Sequence, residues 1–165
     1  MYENTVGHKE RRIIIEKIEQ KRNSKVIIYF VGDRPAMQAQ ISSDSLRSLY
    51  DHLKELNENK PVEQIDFYLY SIGGALVTPW PIISILREYC KTLNVLIPYK
   101  AFSAATLMSL GADKILMGIK GELGPIDPQL KLQPNGGEAI QQIPVSTEDI
   151  TSYISFIKES TIPML

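Results

Sequence analysis

The stretch Ala101-Phe-Ser-Ala-Ala-Thr-Leu-Met-Ser-Leu-Gly111 lies between two runs of strand type, Leu93-Asn-Val-Leu-Ile-Pro-Tyr99 before it and Lys114-Ile-Leu-Met117 after it. Small residues crowd around Ser103, and the chain then takes on helical composition. A serine at the first turn of a buried helix sits beside backbone N–H groups that lack intrahelical partners. The positive end of the helix dipole favours negative charge there. Such a place suits a nucleophile whose attack creates an oxyanion. It equally suits an ordinary N-cap packed among alanines. The stretch alone leaves both readings open.

Working outward, strand-like and helical patterns alternate. Residues 8–23 are charged with an isoleucine insertion, and Ile14 and Ile18, four apart, predict one face of a basic, amphipathic leading helix. Val26-Ile-Ile-Tyr-Phe-Val31 is a continuous apolar run, the pattern of a strand buried on both faces. Leu46, Leu49, Tyr50, Leu53 and Leu56 form a helical stripe with His52 beside it. Gln64 to Tyr70 reads as the next strand, and Ser71-Ile-Gly-Gly74 turns from it into another helix. In that helix Thr78 fits the N-cap and Pro79 the first position. Beyond Gly118, residues 121–129 and 133–137 are loop-like, and Ser146-Thr-Glu-Asp opens a last helix with Ile150, Tyr153, Ile154 and Ile157 on one face. The alternation predicts an α/β fold with right-handed crossovers and a largely parallel sheet.

With 165 residues, 44% hydrophobic and 22% charged, and a formal net charge of -1, the chain fits one globular domain, residues 1–165. That balance gives no reason to expect a nucleic acid or an anionic membrane as partner. Cys90 is the single cysteine, so no intrachain disulfide forms, and a reducing, cytoplasmic setting is expected. Cys90 itself reads as a small buried hydrophobe late in a helix. Residues 1–12 carry no secretory apolar core, and nothing approaches the ~18 apolar residues of a transmembrane helix. The apolar ending Thr161-Ile-Pro-Met-Leu165 reads as part of a longer chain.

Gly73-Gly74 and Ser103 each follow a strand, one crossover apart, so both reach the crevice at the carboxyl edge of a parallel sheet. Two glycines let the backbone approach a bound carbonyl closely. The N–H groups of Gly74 and Ala104 would then form an oxyanion hole. Neither a GxxxxGK[ST] nor a GxGxxG pattern is present, which disfavours a phosphate loop.

The Ser-Ile-Gly-Gly turn and the helix after it, Ala-Phe-Ser-Ala-Ala, Gly-Ala-Asp-Lys-Ile-Leu-Met and Leu-Gly-Pro-Ile-Asp-Pro-Gln together resemble the Clp-class serine peptidases. The closest likeness is to the serine dehydrogenase proteinase family, related to signal peptide peptidase A and the Clp protease subunit. It covers roughly residues 26–129. The resemblance implies the Clp protease/crotonase superfamily fold of stacked βαβ units, commonly assembled into oligomers. It implies Ser103 as nucleophile, an oxyanion hole at the Gly73-Gly74 turn and Ala104, and no cofactor.

One departure stands out. A Clp protease subunit has a histidine base downstream of its serine, whereas this chain has only His8 and His52, both upstream. The corresponding position falls near Asp127, a weak base at its unperturbed pKa near ~4. Signal peptide peptidase A resembles a Ser-Lys design instead, and Lys114, Lys120, Lys131 and Lys158 follow Ser103. Lys158 is the preferred candidate, from its place after the loop. A base beyond Leu165 or on another subunit is the alternative. The sequence reading is therefore a serine peptidase acting on peptide or protein substrates, as a homo-oligomer with contacts from Ile14, Ile18 or the final helix. Two competing readings are a crotonase-like acyl-CoA enzyme using Asp127 or Glu122, and a non-catalytic assembly or peptide-binding subunit.

Overall fold

Ile65, Phe67 and Leu69 alternate along one strand, and Leu93, Val95 and Ile97 along the next, all six fully buried. That period of two turns one face of a sheet toward a core. In the computed structural model, which describes residues 7–35, 39–56, 61–126, 129–131 and 144–146, the elements run α1 (His8–Arg22), β1 (Lys25–Phe30), α2 (Ser45–Leu56), β2 (Val62–Tyr70), α3 (Pro79–Glu88), β3 (Cys90–Ile97), β4 (Lys100–Ala101), α4 (Ala104–Leu110), β5 (Lys114–Met117), β6 (Glu122–Leu123), β7 (Gln129–Lys131) and β8 (Pro144–Ser146).

The chain divides into two units, Met1–Pro125 and Ile126–Leu165. In the first, a four-stranded sheet has the order β1-β2-β3-β5, every neighbouring pair parallel. Each crossover steps in the same direction, so right-handed connections put α2, α3 and α4 on one face. There Leu49 and Leu53 of α2, Ile82 and Leu86 of α3, and Ala104 and Met108 of α4 pack with the six strand residues into one core. The alanines of α4 let it approach α3 closely. In the second unit β7 and β8 form an antiparallel pair.

Three expectations change. The apolar run at Val26–Val31 does not make a strand buried on both faces. β1 is an edge strand, with Ile28 48% and Phe30 63% exposed. Continuous apolar sequence reports hydrophobic content, whereas burial depends on what packs on each face: Ile27 and Tyr29 lie against the core, and the face carrying Ile28 and Phe30 is left largely open among the described residues. Cys90 is buried as expected but opens β3 rather than ending a helix, and its Sγ lies 3.3 Å from the Leu86 carbonyl. The leading helix forms, yet none of its residues is buried. It is tied down by polar groups: Arg22 and Ser24 bind the fully buried Asp66, and the Val26 N–H donates to Glu19 Oε1 (2.9 Å).

The turn at 133–137, the final helix, Asp127 and Lys158 lie outside the described residues. Among the described residues, no helix is long and apolar enough to cross a membrane.

Candidate active site

Past the end of β2 the chain continues straight as Ser71. Its N–H donates to the Lys100 carbonyl (3.0 Å), and its carbonyl accepts the Phe102 N–H (3.0 Å). The strand leading to Ser103 is thereby laid alongside the strand leading to the glycines. On its other side, β4 pairs with β6, Lys100 opposite Glu122 and Ala101 opposite Leu123. Ile41 clamps the glycine turn from the far side: its N–H donates to Gly73 O (2.9 Å), and its carbonyl accepts the Ala75 N–H (2.9 Å). Three segments thus converge beyond the carboxyl ends of the parallel strands, the usual place for a ligand site in such sheets.

Ser103 has φ 53° and ψ -116°. A non-glycine residue with positive φ is uncommon and costs on the order of 1–3 kcal/mol, and such strain clusters at functional sites. An N-cap normally has extended φ/ψ, and its side-chain oxygen accepts a backbone N–H of the first turn. Ser103 occupies the N-cap position of α4 but makes no side-chain cap bond, so the ordinary capping role is ruled out. Ser103 is half-buried, and its hydroxyl makes no hydrogen bond among the described residues. The geometry is that of a sharp strand-to-helix elbow that pushes a serine hydroxyl forward. Thr106 braces this elbow, its hydroxyl within 2.7 Å of the Ala101 carbonyl and 2.8 Å of the Gly124 carbonyl.

Opposite stand Gly73 (φ 117°) and Gly74 (φ 155°). A Cβ on Gly73 would lie 2.8 Å from Ser103 Cβ and 3.3 Å from its Oγ, so this glycine forms the wall against the serine. Its N–H is already engaged by Ser71 Oγ (3.0 Å). The N–H groups of Gly74 and Ala104 have no hydrogen-bond partner among the described residues. Buried backbone donors are nearly always paired, and Ala104 is fully buried. Two unengaged donors beside a strained serine fit a site meant to receive an oxygen atom from a ligand.

The two described histidines have partners or surroundings of their own. His8 begins α1, and His52 Nδ1 sits 2.7 Å from the Ser48 carbonyl. His52 also lines a cleft of about 680 Å³ between α1, β1 and α2 that includes neither Ser103 nor the glycines. Lys114 and Lys120 are exposed, and Lys131 ends β7.

Lys100, three residues before Ser103, is held by Asp33 (3.4 Å) and stands 5.0 Å above the Tyr99 ring. Asp33 also accepts the Tyr70 hydroxyl (2.8 Å), and that bond, with Lys100 behind it, holds the carboxyl below its ordinary pKa. Burial, reinforced by Asp33, pushes the Tyr70 hydroxyl up to about 12. This cluster was not legible in the sequence, because Asp33, Tyr70 and Lys100 come from three separate strand ends. Ser71 and Ile41 were missed as well. A Ser two residues before Gly is a known turn-forming pattern and offered a signal, but Ile41 acts through its main chain and offered none.

A strained serine and two unengaged N–H groups at the carboxyl edge of a parallel α/β sheet define a candidate serine-hydrolase site. The chain belongs to the family of ClpP-like SDH-type serine proteinases, whose pattern matches residues 1–150. With the parallel α/β architecture, this bears out the Clp-type fold and the family expected from the motifs. Two uncharacterized proteins of Methanocaldococcus jannaschii are similar. MJ0137 is 29% identical over 131 residues, covering 73% of this chain and 43% of that protein; MJ1495 is 27% identical over 128 residues, covering 73% and 42%. The chain thus spans less than half the length of these curated relatives. The ClpP protease catalytic domain from Plasmodium falciparum is 13% identical with a TM-score of 0.46, covering 70% of this chain and 64% of that one.

Proposed function

We propose that the protein is a serine peptidase in which Ser103 is the nucleophile and the N–H groups of Gly74 and Ala104 receive the oxyanion. The carrying observation is the strained backbone of Ser103, which frees its hydroxyl from capping and turns it toward Gly73. Ser103 Oγ attacks the scissile carbonyl carbon as its proton passes to a base. The carbonyl oxygen takes the negative charge and settles against the two N–H groups. The C–N bond then breaks, and the departing amine takes the proton back from the base. Water, activated by the same base, releases the acyl group from Ser103. No metal or cofactor is called for.

The base is assigned to a lysine, with Lys158 as first choice and Asp127 as the carboxylate alternative. Neither described histidine is placed at the serine by any contact: His52 faces the cleft formed with β1 and α2, which includes neither Ser103 nor the glycines, and His8 opens α1. The same observation favours the second reading, a Clp-like subunit without catalysis that binds peptides or serves assembly. The proposed substrate is a peptide held extended along the sheet edge, the proposed working form a homo-oligomer, and the proposed location the cytoplasm.

Labelling with a fluorophosphonate separates the readings. Covalent modification mapped to Ser103 and absent from Ser103→Ala supports the peptidase. An unlabelled, folded wild-type protein would leave the non-catalytic subunit and the acyl-CoA enzyme, which tight acyl-CoA binding tells apart.

A further inference from the structure

We infer that Ser71, which takes no part in the chemistry proposed above, is the positioning residue that aims the Gly74 N–H into the oxyanion site. The inference rests on the reading of Ser103 as nucleophile. Ser71 is fully buried, yet it is polar and lies two residues from the turn. Its Oγ accepts the Gly73 N–H at 3.0 Å and lies 3.3 Å from Gly73 O, to which its hydroxyl donates.

A trans peptide group is planar, with its C=O and N–H pointing in opposite directions. The proposed donor, Gly74 N–H, belongs to the same peptide group as Gly73 C=O. Fixing that carbonyl therefore fixes the donor. Ile41 N–H holds the carbonyl at 2.9 Å from one side, and the Ser71 hydroxyl holds it from the other. The preceding peptide group is pinned too, because its N–H is the one bonded to Ser71 Oγ. Glycine moves readily between positive and negative φ, so two successive glycines would otherwise leave this turn free to flip. One side chain thus locks both peptide planes around Gly73.

The main chain of Ser71 completes the role. Its N–H and C=O bond Lys100 and Phe102, which fixes the register of the segment that ends in Ser103. Donor and nucleophile are held to a common residue, so the distance between them is set by one short path of bonds. Replacing Ser71 by Ala keeps that main-chain pairing but removes the lock on the glycine peptides and leaves the Gly73 N–H without its acceptor.

The test is the rate at which a fluorophosphonate labels Ser103, since the phosphonyl oxygen occupies the oxyanion position and no natural substrate is needed. It compares wild type, Ser71→Ala and Ser71→Cys with Ile65→Val, a core change that destabilises without touching the turn. All rates are taken well below each protein's unfolding midpoint. Loss of an oxyanion donor typically costs ~10²–10³ in rate, so loss of its aim should slow Ser71→Ala labelling by about tenfold or more. Ser71→Cys, isosteric but a weaker acceptor, should fall between, and Ile65→Val should label at the wild-type rate. If Ser71→Ala does not fold, the Cys variant decides by the same comparison. Labelling of folded Ser71 variants at the wild-type rate, or equal slowing in Ile65→Val, overturns the positioning role. Absence of labelling in wild type overturns the nucleophile reading itself, and this inference with it.

Discussion

Gly73 faces the Ser103 side chain so closely that a Cβ on it would stand 2.8 Å from Ser103 Cβ. A Cβ on Gly74 would instead enter the backbone of Ile41, 2.8 Å from its Cα. The two glycines therefore do different things: one gives the nucleophile room, the other lets segment 39–41 close over the turn. Gly73→Ala, at φ 117°, should cost on the order of 1–3 kcal/mol of backbone strain. It should slow labelling of Ser103 by displacing its side chain. Gly74→Ala adds overlap with a backbone that cannot swing aside, for a total of roughly 2–5 kcal/mol. Urea unfolding of both variants checks the order, and a Gly74→Ala protein as stable as Gly73→Ala would remove the Ile41 clamp.

Strain at Ser103 gives a second prediction. Ser103→Ala should abolish labelling and leave the unfolding midpoint nearly unchanged, because alanine is no happier than serine at φ 53°. Ser103→Gly should also abolish labelling but be more stable than Ser103→Ala, by about 1 kcal/mol after the entropy of the unfolded glycine is subtracted. At this chain length that is roughly 2–4 °C in midpoint. Calorimetry of the two inactive variants makes the comparison without any assay. Equal midpoints would mean that the elbow is not strained in solution.

The strand and helix alternation was readable because each element carries its own period: two along Ile65 to Leu69, helical along Leu46 to Leu56. Ser103 and Gly74 could be singled out because each follows a strand, one crossover apart, and because the motifs around them resemble those of the Clp-class peptidases. The strain could not, since φ at Ser103 is imposed by the bonds Ser71 makes on Phe102 and by the bracing of Thr106. Asp66 was equally hidden. It alternates with Ile65 and Phe67, so the pattern assigns it to a solvated face. Arg22, forty-four positions away, covers that face instead.

That pairing yields a third prediction. Asp66 is fully buried and accepts bonds from Arg22, Ser24, Gln64 and Asn94. Burial alone would raise its pKa, but the bonds from Arg22, Asn94 and Ser24 outweigh it and hold the carboxyl below its ordinary value. The resulting stability is present above the ordinary carboxylate pKa and is lost as pH falls through the folded value. Arg22→Ala strands the buried charge, which typically costs ~3–5 kcal/mol. It should also move the onset of acid unfolding to higher pH. Arg22→Ala with Asp66→Asn should recover part of the loss, and a double variant no more stable than Arg22→Ala would deny the pairing.

At the alkaline end, Tyr70 is the group to follow. Its hydroxyl ionises near 10 in the unfolded chain and at about 12 when folded, so the unfolded chain releases this proton first. Stability should be intact below pH 10 and decline as the pH rises toward 12. Tyr29 and Tyr89 are also shifted upward and add to the slope. Tyr70→Phe should flatten that decline. Unfolding midpoints of the two proteins over this range provide the measurement, and an unchanged slope would deny the Tyr70–Asp33 bond.

The last prediction concerns association. Val77 and Trp80 are 81% and 80% exposed at the start of α3, a few residues past the glycine turn, and Ile14 is 52% exposed on α1. Pro79 and Pro81 flank Trp80 and hold it outward on a stiff backbone. Exposed large side chains, at ~25 cal/mol per Å² of apolar surface, make a favourable contact surface when several lie together. Ile18, by contrast, is already half-covered in α1 and has less to offer than its spacing suggests. A homo-oligomer built on these residues should therefore weaken on Trp80→Ala or Ile14→Lys, while Ile18→Ala should act mainly on the folding of α1. Light scattering at micromolar concentration reads the mass, and fluorophosphonate labelling at the same concentration reads the site. A wild-type monomer that labels at full rate excludes the association. An oligomer unmoved by both Trp80→Ala and Ile14→Lys places the contact elsewhere on the surface.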